Sequence, residues 1–130
     1  MRYILLLLAV AIAATAYASF QPSHPLSITP LDARRQRFSL LLDLRSPAER
    51  EEDGFYPSAI PVELDRIDTE VPYLLGVSPS APPPATSILV YSQPGDRRAA
   101  RAAQELYARG YRGVRYLEGS FKEMLPPIAQ

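Results

Sequence analysis

The chain has 130 residues, 47% of them hydrophobic, and its 14 basic and 14 acidic side chains cancel to zero formal charge. That balance gives nucleic acid or a general anionic surface no net field to follow. The absence of cysteine excludes disulfides and every reaction that needs a thiolate.

Met1-Arg2 is a short basic start, Tyr3 to Ala14 an apolar run, and Ala16-Tyr17-Ala18 before Ser19 a small-x-small cleavage pattern. Residues 1–18 therefore read as a signal peptide or an uncleaved membrane anchor through residues 3–18. The apolar stretch falls short of the roughly 20 residues that cross a bilayer comfortably, which favours cleavage. Either outcome exports the rest of the chain to a secreted, periplasmic or lumenal place, or tethers it to a membrane. Residues 19–130 then leave about 112 residues for one globular domain, held by its core alone.

Phe20 to Pro30 reads as a proline-punctuated lead-in, and Leu31 to Gln36 as a short helix capped by Thr29 and opened by Pro30. Phe38 to Leu44 is almost continuously apolar, as a parallel strand covered on both faces requires, with Asp43 and Arg45 at its carboxyl end. Pro47 to Asp53 follows as an acidic helix with Ser46 as cap and Glu49 three residues on, stopped by Gly54. Ser58 to Leu64 is predicted as a strand. Asp65 to Leu75 is predicted as a helix with Ile67, Val71, Leu74 and Leu75 on one apolar face.

Gly76 to Ser87, with its four prolines, reads as a connecting loop. Ile88 to Tyr91 is a short β-prone run, and Arg98 to Arg109 a helix whose Ala99, Ala103, Leu106 and Gly110 lie close against a sheet. Val114 to Leu117 is the last predicted strand and Ser120 to Leu125 a closing helical turn. Strands alternating with helices predict a parallel sheet.

Tyr91-Ser92-Gln93-Pro94-Gly95-Asp96-Arg97-Arg98 lies at a strand-to-helix turn, where unpaired N–H groups and the helix dipole favour an anion. Gly95 supplies a backbone free to take positive φ, and Arg97 and Arg98 each carry a fork of donors. Pro94 removes one N–H. On the plainer alternative, Arg97, Arg98 and Arg101 form the solvated face of the helix, with Glu105 one turn from Arg101.

The segments Leu41 to Glu49, Gly54 to Ile60, Ser92 to Arg98 and Tyr116 to Phe121 occur in the order seen in rhodanese-like domains. The chain resembles a single domain of that family from about Ser27 to Leu125, which implies an α/β fold with a mostly parallel central sheet flanked by helices. In active members the loop reads Cys-x-x-Gly-x-Arg, and its cysteine carries a persulfide between a sulfur donor and an acceptor. Ser92 holds that cysteine position, so the resemblance implies no catalytic residue. Phe55 stands where the family pattern often has histidine.

A serine hydroxyl neither attacks a sulfane sulfur nor leaves from a persulfide. The only histidine, His24, sits in the lead-in, far in sequence from the loop that it would have to activate. The expected site is an anion-binding loop made of Ser92, Gln93, Gly95, Asp96, Arg97 and Arg98, supported by Asp43 and Arg45, with no metal and no cofactor. Its expected occupant is a small oxyanion or a protein partner. The alternative is a sulfurtransferase-family enzyme with unusual Ser92-based or partner-assisted chemistry. A third alternative is a purely structural domain with a vestigial loop; Ser92 and Arg98 also share the Cys-x5-Arg spacing of phosphatases with a related fold, the cousin reading being a phosphate-reading pseudophosphatase.

Overall fold

The computed structural model describes residues 26–125. The leader expected at 1–18, His24 and residues 126–130 lie outside them. Five strands form one sheet in the order β1-β5-β4-β2-β3, with every neighbouring pair parallel. They are β1 (Ser27–Ile28), β2 (Leu40–Asp43), β3 (Ile60–Pro61), β4 (Ser87–Tyr91) and β5 (Gly113–Leu117). The helices are α1 (Pro30–Arg34), α2 (Pro47–Asp53), α3 (Ile67–Leu74) and α4 (Arg98–Ala108), with 3₁₀ turns at Leu64–Arg66 and Phe121–Met124.

Alternation along the central strands divides the core in two. Leu40, Leu42, Ile88, Val90 and Val114 face one side, where Ile67 and Val71 of α3 and Ala99, Ala102, Ala103 and Leu106 of α4 pack on them. The alanine face of α4 lets its backbone lie close to the sheet. Leu41, Leu89, Tyr91 and Leu117 face the other side, under Ala33 of α1 and Phe121 and Met124 of the closing turn. Each large aliphatic side chain so buried contributes about 1.5–3 kcal/mol.

Most of the predicted elements are present. Thr29 caps α1 by accepting from the Asp32 N–H, and Ser46 and Glu49 form a reciprocal capping box on α2. Three details differ. The strand expected over Ser58–Leu64 pairs only at Ile60–Pro61. Ser27–Ile28, expected within the lead-in, is an edge strand on β5. The helix expected from Asp65 opens as a 3₁₀ turn and carries Pro72 in the interior of α3, so the Asp68 carbonyl receives no N–H four residues on. Among the described residues no helix is long and apolar enough to cross a membrane.

Because every strand is parallel, all carboxyl ends open on one edge, the usual ligand edge of such sheets. Asp43, Ser92 and Glu118 emerge there from neighbouring strands.

Candidate functional site at the strand ends

Asp43 and Tyr91 are register partners at the ends of β2 and β4. The Asp43 carboxylate, fully buried, accepts from the Arg45 N–H at 2.9 Å, from Arg45 Nε and Nη2 at 3.1 and 2.9 Å, from Arg50 Nε at 3.1 Å and from the Tyr91 hydroxyl at 2.9 Å. Arg45 Nη2 also donates to the Gly54 carbonyl at 2.6 Å, and the guanidinium lies 4.6 Å from the Phe121 ring centre and 5.5 Å from that of Tyr91. Burial alone would lower Arg45, but the hydrogen bonds and charge of Asp43 outweigh it and hold the guanidinium above its ordinary value. Burial pushes the Tyr91 phenol up to about 12, so the hydroxyl stays protonated and donates to Asp43, while its oxygen accepts the Tyr56 N–H at 3.1 Å. Asp43 and Arg45 thus form a structural clamp at the strand ends, tying β2 to Tyr91 of β4, to Arg50 of α2 and to the Gly54 turn.

The loop leaves β4 at Ser92, which is buried, and re-enters α4 at Arg98; Gly95 takes φ +86°, the conformation for which a glycine is needed. The Asp96 carboxylate folds back into the turn. It accepts from the Ser92 hydroxyl at 2.7 Å, the Gln93 N–H at 3.1 Å, the Arg98 N–H at 2.9 Å, and Arg98 Nε and Nη2 at 3.1 and 2.7 Å. An anion therefore already sits at the N-terminus of α4, and it belongs to the chain. Burial alone would raise the Asp96 carboxyl, but the hydrogen bonds from Arg98 and Ser92 outweigh it and hold it below the usual range.

Arg98 is equally committed. Besides Asp96, Nη1 donates to Glu49 Oε1 at 2.9 Å and to the Leu44 carbonyl at 3.2 Å, and Nη2 donates to Glu49 Oε2 at 3.0 Å. A guanidinium has five N–H donors, and these bonds engage every one. Bonds from Arg98 and from the Ser46 N–H hold the Glu49 carboxyl down at about 2, while Glu49 and Asp96 hold Arg98 above its ordinary value. The plainer alternative for this arginine is thereby set aside: Arg98 turns inward, and Glu105 pairs with Arg109 at 3.8 Å.

Arg97 and Arg101 remain exposed and, among the described residues, join no ion pair. They flank an open pocket of about 600 Å³ between the loop, the first turns of α4 and the Tyr116–Gly119 segment, with Ser92 and Asp96 in its wall.

The family described as the rhodanese-like domain matches residues 27–125, spanning these strands, the clamp and the loop. The chain belongs to the rhodanese-like family. Solved structures agree at the level of fold. A Rhodopseudomonas palustris protein described as a possible tyrosine phosphatase superposes with a TM-score of 0.59 at 20% identity, covering 80% of this chain and 91% of its own. Human single-domain sulfurtransferase TSTD1 gives 0.56 at 19% identity, covering 77% and 95%, and Saccharomyces cerevisiae single-domain sulfurtransferase RDL2 gives 0.54 at 20%, covering 80% and 91%. No curated protein matches the chain.

In the rhodanese-like loop, Ser92, Gln93, Gly95, Asp96, Arg97 and Arg98 lie on one turn, whereas Asp43 and Arg45 stand at the end of the neighbouring strand β2 and bond to Tyr91, Arg50 and Gly54 rather than to the loop. The sequence reading missed that Asp96 fills the turn and that Glu49, Arg50 and Tyr91 complete the network. Glu49 was legible as a cap; its reach to Arg98, 49 positions away, had no local signal.

Proposed function

We propose that this rhodanese-like domain is catalytically inactive, is exported or membrane-anchored through its leader, and acts as a binding module. Its loop 92–98 presents Arg97, with Arg101 beside it, to an acidic group on a protein partner. The observation that carries the reading is Ser92: it stands at the position of the family's nucleophile, and its hydroxyl is bound to Asp96 in a chain without cysteine. A hydroxyl in that place forms no persulfide. Asp96 supports a partner's acidic group over a small oxyanion inside the turn, since its carboxylate already holds the donors such an ion would use. The pocket beside it, about 600 Å³, leaves room for a side chain or a short peptide.

The test is thiosulfate-to-cyanide transfer by the purified chain, with an active rhodanese as control. Thiocyanate at the level of the no-enzyme blank is expected, and turnover that scales with protein concentration overturns the inactivity. The Ser92–Asp96 hydrogen bond at 2.7 Å favours one competing reading, in which the carboxylate activates the serine as an ester-forming nucleophile. An aspartate held below the ordinary range is a weak base for that work. A covalent adduct on Ser92, found by mass spectrometry after incubation with an activated acyl or phosphoryl ester, reverses this preference.

A further inference from the structure

The zero net charge of the chain conceals a division along the strand axis. A parallel sheet has two unlike edges, and the one opposite the loop is built from three segments: 34–39, 75–87 and 107–113. Short contacts join them. The Ser39 N–H donates to the Ser87 carbonyl at 2.9 Å, the Ser87 hydroxyl donates to the Arg37 carbonyl at 3.1 Å, and Ser87 is the register partner of Gly113. These segments contain Arg34, Arg35, Arg37, Arg109 and Arg112 and no aspartate or glutamate.

Arg109 is tied to Asp68 and Glu105, and Arg112 lies over the Tyr107 ring at 4.3 Å. Arg34, Arg35 and Arg37 are exposed and, among the described residues, form no ion pair. Asp32, in the first turn of α1, is the acid nearest to them in sequence. The acidic helix α2, with Glu51, Glu52 and Asp53 exposed, lies at the far edge.

The chain entering β1 runs in the direction away from this edge and meets β5 near its carboxyl end. β1 runs parallel to β5, with Ser27 opposite Tyr116 and the Leu26 carbonyl accepting the Tyr116 N–H at 3.0 Å, so β1 is entered from its strand-start end. Eight residues, Ser19 to Leu26, separate it from the end of the leader at Ala18. Fully extended, they reach at most about 29 Å.

We propose that this arginine edge docks on an anionic phospholipid surface. Guanidinium groups bind phosphate bidentately and are weakly hydrated, and a basic residue held at such a surface strengthens binding about fivefold. With the loop at the opposite edge, docking would leave Arg97 and the pocket facing away from the membrane. The proposal does not depend on the leader remaining in the bilayer. Insertion of residues 3–18 would bind neutral and anionic vesicles alike, whereas the edge creates a preference between them.

Co-sedimentation of the full chain with phosphatidylcholine vesicles, with and without one-third phosphatidylglycerol, reads that preference. Wild type is expected to partition at least about tenfold more strongly onto the anionic vesicles, with the excess lost at high salt. Arg34→Glu/Arg35→Glu/Arg37→Glu, and the milder triple change to glutamine, are expected to remove most of it while circular dichroism stays unchanged. Arg66→Glu/Lys122→Glu, at the loop edge, is expected to keep it. Equal binding to both vesicles overturns the proposal, as does an anionic preference that survives both triple variants or is lost equally in the loop-edge variant. Arginine-dependent binding to duplex DNA without any lipid preference also overturns it, and assigns the edge to nucleic acid.

Discussion

Asp96 lies 2.7 Å from the Ser92 hydroxyl, and that distance decides what a restored thiol would be worth. A carboxylate beside a thiol disfavours the thiolate, which is the species that attacks sulfane sulfur. Ser92→Cys alone is therefore expected to give a thiol pKa above the ordinary value near 8.5 and thiosulfate turnover close to background. Ser92→Cys/Asp96→Asn removes the neighbouring charge and keeps one carbonyl oxygen, enough to accept the N–H of Gln93 or of Arg98 but not both, since these use different oxygens of the carboxylate. It is expected to alkylate with iodoacetamide at least about tenfold faster at neutral pH, one unit of pKa being tenfold in thiolate. A single variant with a thiol at or below the ordinary value would show that Asp96 does not govern this position.

Helix α2 reaches the loop through one side chain, which does two things. Glu49 closes the capping box with Ser46 at 2.8 Å and pairs with Arg98 at 2.9 Å. Its folded pKa, about 2, lies below the ordinary carboxyl value of 4.5 that the unfolded chain has, so the unfolded chain binds the proton more readily. The stabilisation is therefore complete above about pH 5 and is lost as pH falls toward 2. Glu49→Gln is expected to cost about 1 kcal/mol at pH 7, a partly exposed pair being screened. The difference from wild type should shrink below pH 4, and thermal melts across pH 2–7 read it. A deficit that stays constant over that range would mean the cap geometry matters and the charge does not. The cap was visible in the sequence because Ser46, Pro47 and Glu49 are local signals, as was the strand Leu40–Asp43 from its apolar run. The short edge strands were not: two residues of Ser27–Ile28 carry no period, and their pairing with β5 is decided by the sheet. Arg97 and Arg98 also looked alike in the sequence, and it is the approach of α2 together with the inward turn of Asp96 that separates the committed arginine from the exposed one.

At the scale of the molecule, a formal charge of zero was the least informative number in the sequence, because the topology sorts the charges that composition averages. Arg34, Arg35 and Arg37 go to one edge and the acids of α2 to the other. Between them the sheet is closed at its loop end by a buried charge cluster. Asp43 ties β2 to β4 through Tyr91, to α2 through Arg50 and, through Arg45, to the Gly54 turn and the Phe121 ring. Strand alternation places Asp43 and Tyr91 on the face covered by α1 and the closing turn. Asp43→Leu would leave the Arg45 guanidinium, whose side chain has no exposed surface, without its bidentate partner, and Nη1 is already without a hydrogen bond. Removing one member of a buried ion pair costs about 3–5 kcal/mol, a large fraction of the stability of a domain this size. Removing both members for apolar residues of similar volume costs less, because the fully buried Arg45 charge is not orphaned, although Arg50 and the Tyr91 hydroxyl still lose their acceptor. Urea denaturation of Asp43→Leu, Arg45→Met and the double variant Asp43→Leu/Arg45→Met tests this directly. Two strongly destabilised single variants and a double variant that recovers part of the loss are expected. Simple addition of the two losses would mean that each side chain acts through its own packing, and that the strand ends are held by shape alone.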